Sequence, residues 1–233
     1  MSSTAGSVVV LFGLAACGSG GLDPGAGDDP GSGTGSLGIE GWARATPRTA
    51  NARTAPEFDV AFSVRVSLNN QTVTTGTVTI TSATARVPLT YRSDNRWSGT
   101  ADGYDEVYVL DVVSGPDKAQ GIRVDGPDIH VFSQPAEGAS VDSTQPLSSA
   151  WQRGAAAESA TLRTENASAL PVMDIGSCTL FAGGLKADRS EARAQQLRLS
   201  RTNRVTPAGT AAGSSWVVTL ENDLDVVAQP LAP

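Results

Sequence analysis

The chain has 233 residues, of which 39% are hydrophobic and 18% charged, with a formal net charge of −7. This length allows one large or two small domains, and the apolar fraction is sufficient for a folded core. The acidic balance disfavours nucleic acid as a partner, because binding to phosphates needs a basic field. One histidine and two cysteines disfavour multi-ligand zinc, haem attachment and a disulfide scaffold, and we expect no cofactor.

An apolar run near the N-terminus, residues 8–16, ends at Cys17. A transmembrane helix needs about 20 apolar residues, so this run is too short to span a bilayer. It fits the apolar region of an export signal, which extends over about 7–15 residues and is followed by small residues. The alternative interpretation is a buried apolar strand with an incidental cysteine.

The tetrapeptide Leu14-Ala15-Ala16-Cys17 resembles the lipobox of bacterial lipoproteins. The resemblance implies that residues 1–16 are a signal peptide and that acyl chains on Cys17 anchor the mature protein in membrane lipid. Gly18, which stands where an aspartate would retain the protein, implies outer-membrane delivery in the cell envelope and leaves the membrane face open. Residues 1–7 contain no lysine or arginine, unlike the family, so either the true start lies upstream or the signal is atypical.

A glycine-rich segment, residues 17–37, begins at this cysteine. Its composition is too polar to bury a core, so we predict a flexible linker between the lipid anchor and the folded part. A flexible linker imposes no geometry on its acidic side chains, and we interpret three aspartates there as solubilising: Asp23, Asp28 and Asp29.

The first folded part, residues 38–132, contains stretches with a period of two. Phe58–Leu68 alternates between apolar and polar residues, which predicts a strand with one buried and one solvated face. Glu106–Val113 is the most continuously apolar stretch and predicts a central strand. About seven short strands at this spacing predict a β-sandwich or barrel.

A second set of stretches follows the break at Ser133-Gln134-Pro135 and predicts another β-sandwich over residues 133–233. Only Lys186–Gln196 has a helical composition, and its poor apolar stripe predicts one or two turns at most. The predicted fold class is therefore all-β, with two small sandwich domains after the signal peptide and linker.

The stretch Asp174-Ile175-Gly176-Ser177-Cys178 resembles the Asp-x-Gly-x-Tyr corner of immunoglobulin-like sandwiches, with Cys178 in the place of the tyrosine. Over residues 57–228 the arrangement is similar to the paired immunoglobulin-like or transthyretin-like modules of bacterial envelope lipoproteins. This resemblance implies a fold and does not imply a function.

Few side chains are candidates for catalysis or for binding a charged ligand. Any Ser–His–Asp or Cys–His mechanism must use His130, and no Gly-x-Ser-x-Gly motif exists to present a serine, so we expect a structural histidine and no enzyme. Cys178 has apolar neighbours and is expected to be a buried, unreactive thiol. A basic stretch offers contacts to acidic glycans or lipid phosphates, or forms a mixed surface: Arg189, Arg193, Arg198, Arg201 and Arg204.

An acidic loop could offer three carboxylates to Ca²⁺ from Asp102, Asp105 and Glu106. The loop lacks the spacing of a dedicated calcium site, and a solvated turn is the other interpretation. Trp97 is the best candidate for an exposed ring that stacks on a sugar, whereas Trp151 and Trp216 lie in strand-like stretches and are predicted to fill cores.

The sequence therefore predicts a membrane-anchored bacterial envelope lipoprotein that acts as a non-catalytic binding or structural module. We expect it to hold an envelope protein or a glycan through sandwich loops or an edge strand. The alternative is a calcium-dependent adhesin or carbohydrate-binding module that uses the acidic loop and Trp97.

Overall fold

The computed structural model describes Leu22 and residues 24–230. The predicted signal peptide and the predicted lipidation site Cys17 lie outside these residues. The described chain is built from strands, with one short 3-10 helix at Ala55–Glu57, which confirms the predicted all-β fold class. No helix in this part of the chain is long and apolar enough to cross a membrane.

The strands in chain order are β1 Ser32–Gly33, β2 Leu37–Pro47, β3 Phe58–Leu68, β4 Gln71–Thr72, β5 Thr77–Thr81, β6 Arg86–Pro88, β7 Thr90–Tyr91, β8 Trp97–Asp102, β9 Val107–Ser114, β10 Asp117–Asp125, β11 Val131–Gln134, β12 Ser140–Val141, β13 Leu147–Gln152, β14 Ser159–Arg163, β15 Leu170–Val172, β16 Ser177–Leu180, β17 Arg193–Val205 and β18 Ser215–Ala228. They form three sheets. The largest has ten strands and follows the path β15-β14-β17-β18-β2-β3-β8-β7, with β12 beside β18 and β4 beside β3. The others are β1-β10-β9-β5-β6 and β11-β13-β16.

Two apolar cores lie between these sheets. The first joins the five-stranded sheet to β2, β3 and β8, where the rings of Phe62 and Tyr108 meet edge to face with centroids 5.6 Å apart. The second joins the three-stranded sheet to β14, β17 and β18 around Trp151. The chain leaves the first core after Ile129 and enters the second at Phe132.

The hairpin of β17 and β18 contributes to both cores. Its strands pair over thirteen positions, with Arg193 opposite Ala228 at one end and Val205 opposite Trp216 at the other. Leu197, Leu199 and Leu224 pack in the second core, whereas Trp216 packs in the first. β18 also pairs in parallel with β2, so one continuous sheet contributes strands to both cores. The division of the chain into two separate domains therefore remains a prediction.

Two predicted strands are confirmed. β3 spans Phe58–Leu68, and every second residue from Phe58 to Val66 is buried in the first core. β9 lies in the middle of the five-stranded sheet, as its continuous apolar sequence indicated. The predicted helical turns at Lys186–Gln196 are wrong, because β17 begins at Arg193 and its backbone pairs with β18 from that residue on.

The strand β2 was not predicted, because its inward side chains become small along the strand. Leu37 and Ile39 are followed at inward positions by Gly41, Ala43 and Ala45. The ring of Trp216 takes up the space beside Gly41, where a Cβ atom would come 2.9 Å from it. A weak hydrophobic alternation in the sequence is therefore the consequence of a large ring on the neighbouring strand.

The prediction of a flexible linker is wrong for residues 24–36. Its strand β1 pairs with β10, and the backbone N–H groups of Gly25 and Gly27 each donate to the Asp125 carboxylate at 2.9 Å. Asp28 accepts the Asp125 N–H at 2.8 Å, and Asp29 exchanges backbone hydrogen bonds with β10. These two aspartates are structural, whereas Asp23 lies outside the described residues.

A layer of buried polar side chains separates the two cores, with Arg201 of β17 at its centre. This guanidinium is fully buried and donates to the Asp174 carboxylate at 2.9 Å, to the Asp128 carbonyl at 2.7 Å and to the Ala155 carbonyl at 2.5 Å. Because each of the three guanidinium nitrogens donates to an oxygen, much of the cost of removing this charge from water is offset.

The same layer continues on β18 and on the turn before the 3-10 helix. Asn222 accepts the N–H of Ala52 and donates to the carbonyls of Ala52 and His130, at 3.0, 2.8 and 2.7 Å. Asn51 accepts the Phe132 N–H at 2.8 Å and donates to the Phe132 carbonyl at 3.1 Å. These side chains satisfy the backbone where the chain passes from one core to the other.

We predict that Arg201→Met destabilises the protein by about 3–5 kcal/mol, because it removes the closer cation of the buried Asp174 carboxylate, leaving only Arg153 at 3.6 Å, and leaves the Asp128 and Ala155 carbonyls without this donor. Urea unfolding measures the loss. The control is Arg204→Met, which lies in the same strand but is exposed and is expected to change the free energy of unfolding by less than about 0.5 kcal/mol. Equal losses in the two variants would contradict a structural role for the buried layer.

Candidate binding surface

His130 is enclosed by the fold, as expected for a structural histidine. Its ring is fully buried, packs edge to face on Phe132, and neither nitrogen makes a hydrogen bond of good geometry within the described residues, although the Leu199 backbone lies close to the ring. Burial and then the charge of Arg201 lower its pKa to about 3, and the Asp174 carboxylate and the Leu199 backbone offset only part of this shift. At neutral pH the imidazole is therefore uncharged, and it has no access to a substrate.

The structure does not bring the three predicted calcium ligands together. Asp102 binds the Arg48 guanidinium at 2.7 Å, and Asp105 accepts the Thr84 hydroxyl at 2.6 Å. Glu106 faces another cleft, where burial and nearby carboxylates raise its pKa. Among residues 24–230, no group of three His, Cys, Asp or Glu side chains is placed to hold a metal ion.

The prediction of an exposed Trp97 is wrong. Its side chain belongs to the first core, is 6% exposed and donates its indole N–H to the Val73 carbonyl at 3.1 Å. Trp151 and Trp216 are buried, as predicted. Trp42 is half-buried on the outer face of the ten-stranded sheet, where the guanidinium carbon of Arg44 lies 5.1 Å from its ring centroid.

The predicted basic stretch is dispersed over different surfaces. Arg201 is buried, Arg193 binds Glu165 at 2.9 Å, and Arg198 binds Asp223 through two bonds of 2.6 and 2.8 Å. Acidic partners therefore occupy three of these guanidinium groups, those of Arg193, Arg198 and Arg201, which agrees with the mixed-surface interpretation.

The second core is open along one edge. β15 lies at one end of the ten-stranded sheet, and β16 lies at one end of the three-stranded sheet. The loop of residues 173–176 connects them. We define the β16 edge surface as the side chains and strand that border this opening: Met173, Ile175, Ser177, Cys178, Thr179 and Phe181.

Three large apolar side chains of the β16 edge surface are exposed to solvent. Met173 is 75% exposed, Ile175 63% and Phe181 53%. A cleft of about 440 Å³ lies beside the first two and is also lined by Cys178. Burial raises the pKa of the Cys178 thiol, which is half-buried rather than fully buried, so this group is neutral and apolar.

No strand among the described residues pairs with the outer side of the β16 backbone. The Trp151 N–H donates to the Gly176 carbonyl at 2.8 Å, which identifies these two residues as a hydrogen-bonded pair. Such pairs alternate along antiparallel strands, so Cys178 faces β13 while Ser177 and Thr179 direct their N–H and C=O groups outward.

The loop before β16 is rigidly held by Asp174. Its carboxylate accepts the Trp151 indole N–H at 3.1 Å, the Ala157 N–H at 2.7 Å and the Arg201 guanidinium at 2.9 Å. With Asp174 turned inward, Met173 and Ile175 on either side remain exposed. The sequence resemblance to a tyrosine corner missed this arrangement, because the anchoring group is the aspartate and not the residue at position 178.

Comparisons with known proteins add little. No protein-family model and no curated protein matches the chain. A solved structure of a 1.5-MDa bacterial ice-binding adhesin, described for the retention of that protein at the host cell surface, is similar at 13% identity with a TM-score of 0.23. The match covers 80% of this chain and 65% of that chain, just under two thirds of its length.

We predict that His130 makes the protein less stable in mild acid. Its pKa is about 3 in the folded protein and about 6.5 when unfolded, so between these values only the unfolded chain binds the proton and stability is lost as pH falls. Relative to pH 7.5, the loss at pH 4.5 is about 2–3 kcal/mol. Urea unfolding of the wild type and His130→Phe should show this pH-dependent difference, and parallel pH curves would contradict it.

Proposed function

We propose that the protein is a lipid-anchored module of the bacterial cell envelope that binds an extended segment of another protein, without catalysis, at the β16 edge surface. The observation behind the proposed binding is the combination of a free strand edge with three exposed apolar side chains. The lipobox ending at Cys17 supports the membrane anchor and a place at the outer membrane.

An exposed strand edge is suited to strand addition. A bound strand gains main-chain hydrogen bonds from the edge, and alternate side chains provide specificity. Proteins usually protect free edges with proline or charged residues. β15 contains Pro171, whereas β16 has the sequence Ser-Cys-Thr-Leu and no such residue. β11, β7 and β1 are end strands that also lack proline and charge, and what distinguishes β16 is that its edge lies beside the exposed apolar side chains.

The surface defines the chemistry of the partner. Ser177 and Thr179 offer outward backbone donors and acceptors to a strand, and Met173 and Ile175 offer apolar contact beside it. The cleft of about 440 Å³ has the size of a small binding pocket. We therefore expect an extended segment with apolar side chains at alternate positions, at least one of which enters this cleft.

A second copy of the chain is a less suitable occupant. β16 is four residues long, so two such strands would share few hydrogen bonds. A stable interface needs about 1,200 Å² or more of buried surface. Self-association through β16 is therefore an outcome that the test must detect rather than the expected one.

We predict that a photo-crosslinking amino acid at Met173 forms a discrete adduct with an envelope protein in the living bacterium. Thr179→Pro removes an outward N–H and should reduce this adduct about tenfold, because the partner loses a main-chain hydrogen bond. Thr179→Val keeps the N–H and should leave the adduct unchanged. The same crosslinker at exposed Arg65, on the outer face of β3, provides the control for random contact.

Three results would contradict the proposed binding. An adduct that survives Thr179→Pro would show that the strand edge is not used. The same adduct from position 65 would indicate non-specific proximity, and an adduct with twice the mass of the chain would indicate self-association. Thermal unfolding of Thr179→Pro and Thr179→Val shows whether both variants are folded before their adducts are compared.

A further inference from the structure

Residues 24–36, which lie between Cys17 and the first long strand in sequence, are fixed by backbone hydrogen bonds. Beyond the pairing of β1 with β10, the Ala208 N–H donates to the Pro30 carbonyl at 2.8 Å, and the Gly35 N–H donates to the Gly209 carbonyl at 2.7 Å. The segment is thus bound both to β10 and to the loop between β17 and β18. We call residues 24–36 the N-terminal strap.

The glycines of the strap allow this close approach. A Cβ atom on Gly31 would overlap the Gln120 carbonyl oxygen, and a Cβ atom on Gly33 would overlap the Gly209 carbonyl oxygen. Ser32, between them, is exposed. The composition that predicts a flexible linker is therefore also what docking requires, because only glycine lets two backbones lie so close.

Docking shortens the reach of a chain that is anchored at Cys17. The eight residues from Gly18 to Gly25 span at most about 26–29 Å when fully extended. Without the docked strap, the first fixed residue would be Leu37 in β2, and the twenty residues up to it would span at most about 66–72 Å. The strap therefore more than halves the maximum distance between anchor and fold.

We infer that the strap holds the cleft around Gly25, Asp128 and Ala156 within about 30 Å of the membrane surface. This inference rests on the proposed lipid anchor. The membrane-facing surface is then the end of the molecule where the strap enters the cleft. The neighbouring Ala157 is hydrogen-bonded to Asp174, so the β16 edge surface begins beside this end and its partner is met close to the bilayer.

The charge of this end affects how it meets lipid. Carboxylates gather around the cleft at Asp28, Glu106, Asp125 and Asp128. Anionic headgroups would repel them within a Debye length of about 8–10 Å. Vesicles of phosphatidylcholine are therefore the appropriate probe, because their neutral surface leaves the strap as the main determinant of distance.

The test compares strap variants of the lipidated full-length protein in such vesicles. A fluorescent donor is placed at exposed position 156 by Ala156→Cys in a Cys178→Ser background, and energy transfer to acceptor-labelled lipid is measured. Gly31→Val with Gly33→Val should release the strap and reduce transfer at least twofold. Ser32→Val is the matched control and should keep the transfer of the wild type.

The possible outcomes test the docking of the strap and the lipid anchor independently. Protein that washes off the vesicles in high salt has no lipid anchor, which would overturn the proposed anchoring and this inference with it. Protein that stays bound and shows equal transfer in all variants would overturn the strap alone. Gly209→Val, which removes the close approach from the other side, should reproduce the release if the double variant fails to fold.

Discussion

The fold depends on one hairpin whose two strands are long enough to cross both cores. β17 and β18 pair over thirteen positions, and along this length their inward side chains change from apolar to polar and back to apolar. The change occurs at Arg201 and Asn222, which are buried and hydrogen-bonded to loops from both halves of the chain. Because these polar groups need fixed partners, they set the position of Asp174 and hence the geometry of the β16 edge surface.

Residue periodicity was sufficient to predict the fold class and many of the strands. β3 is buried at alternate residues as its sequence indicates, and β9 occupies the centre of its sheet. In both strands the pattern of apolar residues along the chain matches the pattern of burial. Prediction failed where a distant partner determines the conformation. Gly41 and its small neighbours in β2 make room for Trp216, and the glycines of the strap make room for the backbones of β10 and the β17–β18 loop. A sequence rich in glycine and small residues is also typical of a flexible linker, so only the tertiary structure distinguishes a linker from a closely packed segment.

The candidate surface was harder to predict than the fold. Trp97 lies beside polar and glycine residues in the sequence, yet its ring fills the first core. Met173 and Ile175 are apolar residues that sequence rules place inside, and they are exposed because Asp174 between them is turned toward Arg201. This coupling links the buried layer to the proposed binding surface. The proposed binding surface therefore lies near the strap and away from the acidic loop of Asp102.

The central functional claim is that this β-protein is anchored in membrane lipid through Cys17, and the intact mass of the protein purified from bacterial membranes tests it most directly. The account predicts a mass equal to residues 17–233 plus two or three acyl chains. A mass that retains Met1 or Ser2 and includes no lipid would contradict it. The apolar residues 8–16 would then need another role, and the strap would no longer connect the fold to a membrane.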